Sequence, residues 1–192
     1  MTHPLLSVLL DAAHGRPPTP DGTVEVLPPL AGPVDAVVTF TARGYLVADV
    51  DAELVRSRLR GGDPGAPTLP AFLTWLAGQL GARAGQVDAV LAAPGLDGAP
   101  PLELETRADL EHHHRVTRAS RYRRDLRVFA SAGDAGVLVL GRALAARHLV
   151  PHGEPVFVQV SPGNAASLRA ILAAGYHPLG SEVLFSRSGP ED

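Results

Sequence analysis

The sequence predicts an α/β fold, a single mixed β-sheet flanked by helices. Segments of strand pattern and of helix pattern interleave along the chain instead of falling into separate blocks, which is the order that layers helices onto one sheet. The 192 residues are 45% hydrophobic and 19% charged, enough apolar surface for a real core and too much for global disorder. Glycine (20) and proline (18) are abundant, so the elements are expected to be short and their connections long.

The elements follow in order. Leu5–Leu10 reads as a short N-terminal helix, and His14–Pro20, with three prolines in HGRPPTP, as an extended linker. Asp35–Phe40 and Gly44–Val50 are two strands joined by a hairpin at Ala42–Gly44. Asp51 can cap a helix from Ala52 to Leu59 with Leu54, Val55 and Leu59 on one face, which Gly61–Gly65 ends. Phe72, Leu73, Leu76 and Leu80 recur at three and four residues, predicting a helix from Leu69 or Pro70 to Leu80 stopped by Gly81. Val87–Ala92 is a buried strand and Ala93–Pro101 a loop. A charged helix is expected over Asp109–Arg124, then strands at Leu126–Ala130 and Val137–Leu140 around a turn, and a helix over Arg142–Leu149. Pro155–Val160 is a strand and Asn164–Ala174 a helix with Leu168, Ile171 and Leu172 inward; Ser181–Ser186 is the last strand. Residues 1–22 thus read as helix and linker, 23–187 as one domain, and 188–192 as a frayed polar tail.

Composition removes several kinds of chemistry. There is no cysteine, hence no disulfide, thiolate zinc site or catalytic thiol. All 17 basic residues are arginine, which excludes a Schiff-base lysine and a P-loop with its lysine. The apolar run at Leu5–Leu10 is too short for a secretory signal or a membrane helix, so a soluble cytoplasmic protein with no membrane partner is expected. A net charge of −3 gives no reason to expect nucleic acid on the surface as a whole.

The richest stretch is Gly136–Phe185. Gly141-Arg142-Ala143 sits at a strand-to-helix junction, where Leu140 ends the strand and the opening amides could hold a phosphate with help from Arg142. After the next strand comes Asn164, which can cap a helix while offering its amide to a ligand, with Ser167 three residues on. Gly175 can end that helix, and Tyr176 can place an aromatic in the core. A cap, a stop and a core aromatic also account for these residues with no ligand at all.

The spacing of Asn164, Ser167, Gly175 and Tyr176, followed by a closing strand over Pro178–Phe185, resembles the C-terminal half of the GNAT superfamily of acetyl-CoA-dependent N-acetyltransferases. Residues 126–187 carry the resemblance best; the first hundred fit by element order. It implies a GNAT-like fold, with acetyl-CoA as co-substrate in a split between two parallel strands. It also implies a pyrophosphate held by amides at a helix start, and a small-molecule or peptide amine as acceptor. Carried onto this chain, it makes Leu140, Gly141, Arg142, Ala143, Asn164 and Ser167 the cofactor-binding residues. Two positions depart from the family. Only the final Gly-x-Ala of its pyrophosphate loop is matched, by Gly141 and Ala143, and its tyrosine acid falls on Ile171, which has no proton to give. Both predict impaired activity, and they open a second reading: an inactive binding or assembly module on the same scaffold.

Other features are weaker. Arg115, Arg118, Arg121, Arg123, Arg124 and Arg127 make a basic helix that reads as a solvated face or as a phosphate or nucleic-acid contact. His112–His114 are consecutive on a helix and point in different directions, so no metal is expected. Glu103, Glu105 and Glu182 are the candidates for a general base, with surface carboxylates as the alternative. A homodimer is compatible with the sequence.

Overall fold

A computed structural model describes residues 3–30, 34–59, 63–100 and 143–187. The expected helix over Asp109–Arg124, the strands at 126–130 and 137–140, and the tail at 188–192 lie outside them. The element order is α1 (Pro4–Ala13), β1 (Thr23–Leu27), β2 (Val34–Phe40), β3 (Arg43–Val47), α2 (Ala52–Arg58), a 3₁₀ turn (Ala66–Thr68), α3 (Pro70–Leu80), β4 (Arg83–Pro94), β5 (Pro155–Val160), α4 (Ala165–Ala173) and β6 (His177–Ser186). A further helical stretch covers 143–146.

The fold is α/β, with one mixed six-stranded sheet of order β1-β3-β2-β6-β4-β5 flanked by helices. The sheet is mixed because β1 runs parallel to β3, whereas the β2–β3, β2–β6 and β4–β5 pairs are antiparallel. By internal contacts the chain forms two compact units, one of Met1–Asp88 with Gly180–Asp192 and one of Ala89–Leu179.

In the first unit, α3 packs Phe72, Leu73, Leu76 and Leu80 into a core with Val37, Leu46, Val55, Val183 and Phe185. Pro70 starts this helix, where its missing N–H costs nothing, and Gly81 ends it at φ 57°. Asp51 caps α2 as expected, its Oδ1 accepting from the Leu54 N–H at 2.7 Å. Leu54 itself is exposed, and Val55 alone of α2 is buried. The edge strand β1, which the sequence did not announce, is braced by Arg43, whose guanidinium donates to Asp21, Glu25 and Thr23. The Asp21 carboxyl is held down to about 2, first by the Thr23 backbone N–H and then by the Thr23 hydroxyl, with Arg43 adding to both.

In the second unit, Val156, Val158 and Val160 of β5 face Leu91 and Ala93 of β4, and Ala170, Ile171, Ala174 and Tyr176 close over them. The inward face of α4 is therefore Ser167, Ala170, Ile171 and Ala174. Leu172, expected inward, is exposed, because about 100° per residue carries it nearly opposite that face, past Leu168, which is partly buried. The helix expected over 142–149 is helical only at 143–146 among the described residues. Arg147, His148 and Leu149 then donate to carbonyls three residues back, and Pro151 prevents a further turn.

Three strand ends differ from expectation by three or more residues. β4 begins at Arg83 and not Val87, because four exposed residues with no apolar alternation still pair through their backbone. β6 begins at His177 and not Ser181. β3 stops at Val47, where the chain bends toward the Asp51 cap. Among the described residues no helix is long and apolar enough to cross a membrane.

Candidate functional site

Of the cofactor residues the resemblance gives, the described ones, Ala143, Asn164 and Ser167, lie in the second unit, the last two just after β5. After Val160 the chain turns through Ser161–Gly163, and the Asn164 N–H donates to the Ser161 carbonyl at 2.8 Å. Asn164 then caps α4: its Oδ1 accepts from the Ser167 N–H at 3.1 Å. The side chain is exposed, and its Nδ2 makes no hydrogen bond among the described residues. An asparagine can thus cap with one atom and present the other to a ligand. Ser167 is buried at 6% exposure, with its N–H taken by the cap.

Gly175 ends α4 at φ 83°, and Tyr176 follows into the core at 4% exposure. The Tyr176 hydroxyl donates to the Ala143 carbonyl at 3.0 Å, tying the end of α4 to the 143–146 helical stretch. Burial pushes this phenol up to about 12, against a smaller opposing pull from Arg147. Its proton is committed to a carbonyl, so Tyr176 is a packing residue and not an acid. Tyr176→Phe keeps the ring and orphans the Ala143 oxygen; urea unfolding is expected to show a loss of about 1 kcal/mol. Ile171, at the position the resemblance gives to the acid, is in the core at 1% exposure.

Arg147 was not marked by the sequence. Its Nε donates to the Pro94 carbonyl at 2.9 Å and its Nη1 to the Ala174 carbonyl at 2.8 Å. A cation at the C-terminus of α4 also meets the negative end of the helix dipole. The signal was absent locally because Arg147 and Ala174 are 27 residues apart. His148 bonds the Gly98 carbonyl through Nδ1, and His152 lies 3.2 Å from Asp97 on the surface.

Gln159 was also missed. It faces away from the valine side of β5, opposite Val90, beside Phe157 and Ala92, which are fully buried. Its Nε2 is buried and has no hydrogen-bond partner among the described residues. Such a group costs about 1–3 kcal/mol when left unmet.

Of the six cofactor residues the resemblance gives, Leu140, Gly141 and Arg142 lie outside the described residues. Asn164 and Ser167 are joined by the cap, and Ala143 is joined to Tyr176; no hydrogen bond among the described residues links the two groups. Glu103, Glu105, His112–His114 and Arg115–Arg127 also lie outside. Glu182 is described: it is buried at 1% exposure in β6, opposite Val38, and is no surface carboxylate. No cluster of three or more metal-ligating side chains occurs among the described residues.

Comparison with family models, with curated proteins and with solved structures finds no match to this chain.

Proposed function

We propose that this chain is a divergent member of the GNAT superfamily that binds acetyl-CoA and transfers its acetyl group to a small-molecule or peptide amine. One observation carries the reading. The segment from β5 to β6 gives each residue of the motif the physical task that the motif needs. Asn164 caps α4 with one amide atom to spare, Gly175 takes the left-handed turn, and Tyr176 fills the core. On this reading Asn164 and Ala143 border the donor, with Leu140, Gly141, Arg142 and Ser167 completing its binding residues. When bound, the thioester supplies the activated acyl group, and the protein's part is to hold it and to exclude water.

A second reading, a binding or assembly module without catalysis, is favoured by two facts. Ile171 is locked in the core where an acid would stand, and the nearby tyrosine hydroxyl is spent on Ala143.

Titration calorimetry with acetyl-CoA tests the proposal, with Asn164→Asp as the informative variant. Aspartate caps a helix as well as asparagine does, so the fold is kept, but it sets a negative charge where a phosphate-bearing ligand approaches. Micromolar binding by wild type, weakened roughly tenfold in the variant at low salt, supports the site. Thioester cleavage across a panel of amines then separates the transferase from the binding module. No heat at millimolar ligand refutes acetyl-CoA binding.

A further inference from the structure

We propose that Asp97–Gly98 is a site of spontaneous covalent modification in the folded protein, its aspartate converting to isoaspartate, and that the fold protects the chain's other Asp-Gly step, Asp21–Gly22, from the same reaction. The chain has these two Asp-Gly steps and no third. A glycine after aspartate leaves its backbone nitrogen uncrowded by any Cβ, so that nitrogen can reach the aspartate carboxyl. At Gly22 and at Gly98 alike, a Cβ would meet nothing within 4 Å, so both steps have space for ring closure. Sequence and crowding therefore rank the two equally.

Hydrogen bonding separates them. The reaction needs the aspartate carboxyl and the glycine N–H both free. At Asp21–Gly22 neither is. Asp21 Oδ1 accepts from the Thr23 N–H at 2.9 Å and from the Thr23 hydroxyl at 2.8 Å, and its Oδ2 accepts from Arg43 at 2.7 Å. The Gly22 N–H donates to the Ala42 carbonyl at 2.7 Å. At Asp97–Gly98 both are free to move. The Asp97 side chain is 82% exposed, and among the described residues its carboxylate meets only His152, whose Nδ1 lies 3.2 Å away on a ring that is itself 68% exposed. A pair so open to water holds its members weakly. The Gly98 N–H makes no hydrogen bond among the described residues.

The chemistry needs water and nothing else. The Gly98 nitrogen attacks Asp97 Cγ: an N–Cγ bond forms, a Cγ–O bond breaks, and the amide proton leaves with the carboxyl hydroxyl as water. The five-membered imide then takes one water back. Opening at Cγ restores aspartate, whereas opening at the Asp97 main-chain carbonyl routes the backbone through Cβ. The lengthened chain lies between two anchors, the Leu96 N–H on the Arg147 carbonyl at 2.7 Å and the Gly98 carbonyl on His148 Nδ1 at 3.1 Å.

The test holds the full chain in heavy-oxygen water, folded and in urea, and follows both Asp-Gly peptides by liquid chromatography and mass spectrometry. Each imide opening writes one heavy oxygen into the residue, and isoaspartate elutes apart from aspartate. In the folded protein, label and isoaspartate are expected at Asp97 at least roughly tenfold faster than at Asp21, which must first break its hydrogen bonds. In urea the two steps should react alike. Gly98→Ala, which keeps the fold but crowds the attacking nitrogen, should suppress the reaction at Asp97 and leave Asp21 unchanged. Equal rates at the two steps in the folded protein, or label at Asp97 that appears only in urea, would overturn the inference. None of these results bears on acetyl-CoA binding.

Discussion

Exchanging Arg187 for Met is expected to destabilise the protein by about 2 kcal/mol at neutral pH and by much less at about pH 4. Arg187 follows β6 and reaches back across 152 residues, its Nη2 donating to Asp35 Oδ2 at 2.8 Å. The two side chains are unequal: that of Asp35 is 3% exposed and that of Arg187 43%. Water reaches the arginine, so the pair itself contributes modestly, but losing its cation leaves a buried carboxylate alone. Burial raises the Asp35 carboxyl above its ordinary value; Arg187 pulls it down, and Asp49 adds a smaller push up. A carboxyl raised in the folded state contributes stability that is fully present below its unfolded value and is lost as pH rises through the folded value. Removing Arg187 moves that folded value further up, so the variant pays more than wild type at neutral pH. The gap closes in acid, where Asp35 is protonated in both proteins. Adding Asp35→Asn to Arg187→Met should recover most of the loss at pH 7 and remove its pH dependence. Urea titrations at several pH values decide the matter; a gap that is flat with pH would assign the loss to the Arg187 Nε contact with the Leu80 carbonyl instead.

That pair also illustrates what a sequence conceals. Much of what is written in local code was legible: the Asp51 and Asn164 caps, the left-handed turns at Gly81 and Gly175, and the four-residue apolar stripe of α3, though not the His3 cap of α1. Each needs only neighbours within about one helical turn. What escaped depends on distant partners. β1 has only five residues, of which Thr23 and Glu25 are polar and exposed, and it is held as a strand by β3 lying parallel beside it and by Arg43, which gathers Asp21, Thr23 and Glu25. The first residues of β4 have no alternation to read. Leu172 looks as apolar as Ile171, and only the small residues of α4 decide which of them turns inward. In the candidate site the same division holds. Asn164, Gly175 and Tyr176 were readable, but the bond from Tyr176 to Ala143, the Arg147 contacts and the solitary Gln159 amide were not.

Gly95→Ala is expected to be the most damaging small change in the second unit, at about 3 kcal/mol. In sequence Gly95 is one glycine in a Pro/Gly loop, with Gly98 close by, and nothing there ranks the two. In the structure they differ in kind. The Gly95 N–H donates to the Glu154 carbonyl at 2.7 Å, and its carbonyl accepts from the Gly153 N–H at 3.3 Å, so two backbone segments meet here. A Cβ on Gly95 would land on the Pro151 carbonyl oxygen and 2.7 Å from a Val150 methyl, with a backbone that cannot swing aside as a flexible side chain would. Relief requires the 150–154 segment to move, and Val150 is part of the core of this unit. The Arg147 carbonyl, which accepts from the Leu96 N–H at 2.7 Å, would be disturbed with it. Gly98 has the opposite character: φ is 90°, but a Cβ there would meet nothing within 4 Å. Gly98→Ala therefore bears backbone strain only, about 1 kcal/mol. Thermal or urea unfolding of the two variants side by side should separate them by roughly 2 kcal/mol. Equal losses would mean that the loop shifts freely and that the close approach at Gly95 does not hold the 94–98 segment against 147–154.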